Sequence, residues 1–248
     1  MKAEPSVQLR LLDVQELDSR IDGLSHRLAT IPEAQQLKDM SLRRTQLDNG
    51  VRDLRIRIDD LTTEQKRSDA DVEQVKTRRA RDQGMIDSGQ VGDPKALERM
   101  LDELASLHRR ITTLEDVELE VMEAMETTQA ELDEQLLAIE ALDEQRKRLQ
   151  GALDEASGRL QSDLGSARGE RVEAAGGLPE DLMTLYTKLR DQKGGVGAAA
   201  LRRRECTGCR LALTASDLAQ IGKAPADDVL RCEECNRILV RTPESGLA

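Results

Sequence analysis

The sequence predicts a mainly α protein, a long antiparallel coiled-coil hairpin with a small β-rich module toward its C-terminal end. Three observations lead there. The chain of 248 residues has no Phe, no Trp and one Tyr, Tyr186, while 34% of it is charged. Large aromatics supply much of a thick globular core, and a charged, leucine-rich chain without them fits long helices. Apolar residues recur at alternating steps of three and four, and all four cysteines fall between Cys206 and Cys235.

The elements follow in order. Leu17, Ile21, Leu24, Leu28 and Ile31 form a first helical run, and Leu47, Val51, Leu54, Ile58 and Leu61 a second with coiled-coil seam spacing. Between them Pro32 lacks an amide donor, so a break is expected at residues 29–32, with Thr30 and Glu33 at capping-box spacing. Gly89 and Gly92 end the second helix near a turn at 86–94, where Asp93 and Pro94 suit the cap and first position of the next. The stripe resumes at Leu97, Leu101, Leu104, Ile111 and Leu114 and continues through Leu132, Leu136, Ile139, Leu142, Leu149, Leu153 and Leu160. Two striped helices joined by a short loop make an antiparallel hairpin. The coiled-coil hairpin is assigned to residues 1–177, a short helix and linker to 178–195, and the cysteine module to 196–248.

A turn centred near residue 90 sets residue i opposite roughly 180 minus i. Residues 111–145 hold 12 acidic and no basic residues, and residues 35–69 hold 8 basic and 7 acidic. The partner helix therefore leaves the acidic band unneutralised, either as a solvated face or as a docking surface for a basic segment. Gly151, Gly158 and Gly165, seven apart, mark either fraying or a groove for a closely packed neighbour.

Net charge is -11, which argues against coating nucleic acid or an anionic membrane along the whole length. No apolar run reaches the ~20 residues of a membrane helix, and the first residues lack a signal-peptide core, so a cytoplasmic location is expected. Structural disulfides are rare there. A redox Cys-x-x-Cys needs a helix N-terminus in a βαβ setting, which neither pair has. Two Cys-x-x-Cys knuckles, Cys206/Cys209 and Cys232/Cys235, with 22 residues between them, suit one structural Zn2+ in a four-cysteine shell. "GAAALRRREC" and "RILVR" read as strands beside the knuckles, which makes the module a β-rich zinc ribbon.

The layout resembles a bacterial family of coiled-coil hairpin proteins with a C-terminal four-cysteine zinc ribbon. The resemblance rests on "CTGC…CEECNRILV" and on "DPKALERMLDELASLHRRITTLED" after the turn. Asn236 stands where related sequences usually have Gly. The resemblance implies the architecture, a zinc bound by the four cysteines, and no catalysis. Some members are tied to flagellar or type III secretion systems, as partners of an alternative sigma factor or as RNA binders; most have no assigned role.

Other motifs carry less. "GVGAAA" at 195–200, with Asp217 further on, matches a dinucleotide fingerprint but follows no strand, and reads as a glycine hinge. His26 and His108 join no ligand or catalytic constellation. Arg202, Arg203, Arg204 and Arg210 crowd the first knuckle, with Arg231 and Arg237 at the second. The first four are candidates for nucleic-acid or partner contacts, although a strand with alternating side chains could not aim all three consecutive arginines one way. The alternative is charge balance for four thiolates. The expected function is a non-enzymatic adaptor or scaffold with a protein partner. A nucleic-acid-binding regulator acting through the ribbon is the alternative, and no membrane or small-molecule substrate is expected.

Overall fold

A computed structural model describes residues 1–247; Ala248, the last residue of the expected ribbon segment, lies outside the described residues. The helices are α1 (Pro5–Ala29), α2 (Pro32–Asp87), α3 (Pro94–Ala175), α4 (Glu180–Gln192) and α5 (Ala215–Lys223). The strands are β1 (Ala198–Arg202), β2 (Glu205–Cys206), β3 (Leu230–Arg231) and β4 (Ile238–Arg241). Two compact units form, one from Gln35–Gln150 and the other from Met1–Ala34 together with the chain from Gly151 on.

The Gln35–Gln150 unit is the helical hairpin. Asp93 receives the Lys95 amide on its side chain, Pro94 takes the first helical position, and Gly89 supplies the left-handed residue of the turn. Val51 and Val72 of α2 are buried, as are Leu107, Ile111, Leu114, Val121, Leu132 and Leu142 of α3. Two expected seam residues, Leu101 and Leu136, instead face solvent. At the second of these, Gln135 takes the inward position, and Gly50 of α2 makes room for its side chain. The register also differs from the expected one. Ser41 lies by Arg146, Arg44 by Asp143 and Thr62 by Met125, each seven positions beyond 180 minus i. Near the turn Arg78 still meets Glu103, one position from the expected pairing, so the heptad-sized shift belongs to the stretch farther from the turn.

The other unit is organised by α1, which has two buried faces. Leu24, with Ile21, Leu28 and, just past the helix, Ile31, packs on Leu160, Leu164 and Ala167 of α3. Leu11 and Val14 lie with Leu182, Tyr186 and Leu189 of α4 and with Ala198, Ile238 and Val240 of the sheet. Thr30 does not open α2 as a capping box would. Its hydroxyl donates to the His26 carbonyl and closes α1, while a capping box forms at α5 between Thr214 and Asp217. Gly151, Gly158 and Gly165 lie in continuous helix with open space beside each, so they mark neither fraying nor a packed groove.

The sheet runs β2-β1-β4-β3, with β1 and β4 parallel and both outer pairs antiparallel. Side chains alternate across it. Ala198, Ile238 and Val240 face α1 and α4, whereas Ala199, Leu201 and Leu239 face α5 and the thiols. The ribbon thus shares a core with helices from both ends of the sequence. The N-terminal residues add to this: the Ala3 amide donates to the Asp227 carbonyl and the Val229 amide to that of Met1. Arg241 donates to the carbonyls of Ile221, Ala224, Pro225, Ala226 and Asp228, holding the loop after α5.

Candidate metal centre

Each cysteine pair is set by the same backbone device. The Arg210 amide donates to the Cys206 carbonyl (2.7 Å) and the Asn236 amide to that of Cys232 (2.8 Å). Cys206 and Cys232 in turn donate to the carbonyls of Leu211 and Arg237. Closing these turns puts Arg210 (φ 61°) and Asn236 (φ 62°) in the left-handed region. Gly208 sits inside the first knuckle, where a Cβ would lie 2.8 Å from Arg237 and 2.9 Å from Ala199.

The four sulfurs converge within 4.8 Å of one another, and Cys206–Cys235 and Cys209–Cys232 are 3.9 Å apart. A tetrahedral zinc with Zn–S of about 2.3 Å sets its sulfurs about 3.8 Å apart. The donor set therefore fits zinc, with Cys206, Cys209, Cys232 and Cys235 holding it. Burial raises the Cys206 thiol and pushes Cys232 up to about 12. Burial acts on Cys235 too, but the Arg237 amide and side chain and the neighbouring thiols bring it down to about 7. A bound cation would favour the thiolate form of all four. Bound zinc would supply a cross-link between the two knuckles, with the four thiolates filling its tetrahedral shell.

The arginines divide. Arg231 donates twice to the Asn236 carbonyl, and Arg237 donates to those of Val196 and Lys193, so these two brace the second knuckle. Arg202, Arg203 and Arg210 line an open depression beside Cys206, together with Glu205, Thr207 and Glu244. Arg204 lies apart, beside Gly246 and α5. Only Arg202 belongs to a strand. Arg203 (φ 46°) and Arg204 (φ 67°) form the two-residue turn between β1 and β2, which removes the expected strand alternation.

A second polar cluster, marked by no motif, lies under the ribbon. Buried Asp18 accepts from the Tyr186 hydroxyl (2.8 Å) and from Arg171 (3.1 Å). Gln15 donates to the Gly195 carbonyl and accepts from the Gly197 and Ala198 amides. The expected glycine hinge is therefore fastened. At Gly197 a Cβ would lie 2.6 Å from the Tyr186 carbonyl oxygen, so its glycine serves close packing. The detectable signal was the polar Gln8, Gln15 and Asp18 on the α1 stripe that also holds Leu11 and Val14. His26 and His108 are exposed.

Among the described residues, no helix is long and apolar enough to cross a membrane. The model of the CT398-like coiled coil hairpin domain matches residues 14–194, and that of the C4-type zinc ribbon domain residues 206–239. An uncharacterized protein of Mycobacterium tuberculosis strain H37Rv is 33% identical over 97% of this chain and 98% of its own length. A Mycobacterium smegmatis structure superposes with TM-score 0.81 and 31% identity, covering 97% of this chain and 100% of that one. The structure of CT398 from Chlamydia trachomatis shares the fold, with TM-score 0.70 and 17% identity over 96% of this chain and 98% of that one. By its hairpin, its four converging thiols and these matches, the chain belongs to the CT398-like coiled-coil hairpin family and carries a C4-type zinc ribbon.

Proposed function

We propose that the protein is a non-enzymatic adaptor, located in the cytoplasm, that engages a protein partner through its helices and ribbon. The supporting observation is the surface of α3 over residues 111–145. Of its 12 acidic residues, Glu115 and Asp143 meet cations, and the others have no ion pair among the described residues. Val117, Leu119, Leu136 and Leu137 are exposed in the same stretch. Acidic and apolar side chains together suit a basic amphipathic segment. Affinity capture from native cytosol, with and without nuclease, tests the reading. A nuclease-resistant partner should be lost when Glu120, Glu123 and Glu126 become Gln; capture that survives this change, or no stable partner, counts against it.

The second reading is a nucleic-acid-binding regulator. It is favoured by Arg202, Arg203 and Arg210 around one depression. Few phosphates would be met, so binding to single strands should fall with salt at a slope of about -0.7 per phosphate contacted.

A further inference from the structure

Four non-glycine residues of the described chain hold a left-handed backbone: Arg203, Arg204, Arg210 and Asn236. Asn tolerates that conformation, and the equivalent place in the first knuckle holds Arg210. A two-residue hairpin turn with both φ positive favours Asn-Gly, and here it holds Arg203-Arg204. Arginine thus occupies three places where the backbone disfavours it, all at the first knuckle. Strain of this kind gathers at binding surfaces when the side chain is needed there. Arg203 and Arg210 are exposed and make no side-chain hydrogen bond or ion pair among the described residues, and both line the depression beside Cys206.

We propose that this depression is a docking site for an acidic, leucine-bearing peptide segment of a protein partner, with Arg203 and Arg210 receiving its carboxylates. Three features select a peptide. Glu205 and Glu244 line the same depression and repel a continuous polyphosphate, yet they leave room for carboxylates spaced along a chain. Leu211, next to Arg210, is 49% exposed and offers an apolar contact. The ribbon has no aromatic residue on which a base could stack. This inference rests on the adaptor reading and gives that adaptor a second surface, opposite in sign to the band on α3.

The test separates binding from folding, because Asn and Gly suit the backbone better than the arginines they replace. In Arg203→Asn/Arg204→Gly/Arg210→Asn, one zinc per chain should remain and the melting temperature should be unchanged or higher. Affinity for a fluorescent Glu-Leu-Asp-Glu-Leu-Glu peptide, measured by anisotropy at low salt, should fall at least about tenfold. Arg203→Lys/Arg210→Lys should retain part of it. The proposal is overturned if wild-type protein does not bind the peptide, or if the Asn/Gly variant binds it equally well. It is also overturned if that variant loses zinc or stability, which would make the arginines structural, or if a single-stranded oligonucleotide binds and the peptide does not. A partner still captured from cytosol by the variant would leave the adaptor reading standing without this site.

Discussion

The Tyr186 hydroxyl donates to Asp18 Oδ2 at 2.8 Å, joining α4 to α1 across 168 residues of sequence. Asp18 is also paired with Arg171 of α3, so one buried carboxylate ties three helices. Tyr186→Phe removes the hydroxyl and leaves that carboxylate oxygen without its buried donor. It should lower stability by about 1–3 kcal/mol in urea unfolding, with zinc content unchanged.

Burial, with the Asp18 hydrogen bond and charge, raises the Tyr186 phenol well above its ordinary range. The unfolded chain ionises this group near pH ~10. Its contribution is therefore fully present below that pH and is lost as pH rises further toward the folded value. Phenolate absorbance should be missing from the folded protein at pH ~10 and should appear together with unfolding. Phenolate formation in the still-folded chain would contradict the buried bond.

Ala199, Leu201 and Leu239 rest on the cluster that includes Cys206 and Cys232, while Ala198, Ile238 and Val240 support Tyr186 from the opposite face of the same strands. Stripping zinc, or making Cys209→Ser, should loosen both faces. With no Trp in the chain, Tyr186 is the sole intrinsic fluorophore. Its emission should change on chelation while most helical circular dichroism persists. Zinc uptake at neutral pH must also displace the raised Cys206 and Cys232 protons, so affinity should weaken as pH falls.

Two glycine substitutions should act oppositely. Gly158 has open space in mid-helix, so Gly158→Ala should stabilise by about 1 kcal/mol. Gly197→Ala meets backbone at the Tyr186 carbonyl and should destabilise the ribbon's seat on α4, seen as faster amide exchange at 196–200.

The hairpin and the thiol centre were legible because each rests on local spacing: Val51 and Ile111 sit on heptad stripes, and the knuckles announce themselves as Cys-x-x-Cys. What was hidden is long-range. The second face of α1 mixes Leu11 and Val14 with Gln8, Gln15 and Asp18, and polar residues at helical spacing look solvated until a distant Tyr186 or Gly197 meets them. The heptad-sized shift that brings Arg44 to Asp143 was hidden for a different reason, since a seven-residue slide presents the same seam. The turn at Arg203-Arg204 is not legible in the sequence because its residues are the reverse of what such a turn prefers.

Synthesis order gives the N-terminal pairing a kinetic meaning. Met1 and Ala3 bond to Val229 and Asp227, and Leu11 and Val14 are covered by Leu182, Ile238 and Val240. On the ribosome, α1 emerges before its cover, while the Gln35–Gln150 unit in between can close from its own residues. During translation the Leu11 and Val14 face therefore stays uncovered until α4 and the ribbon strands have been made, and its burial follows that of the Gln35–Gln150 unit.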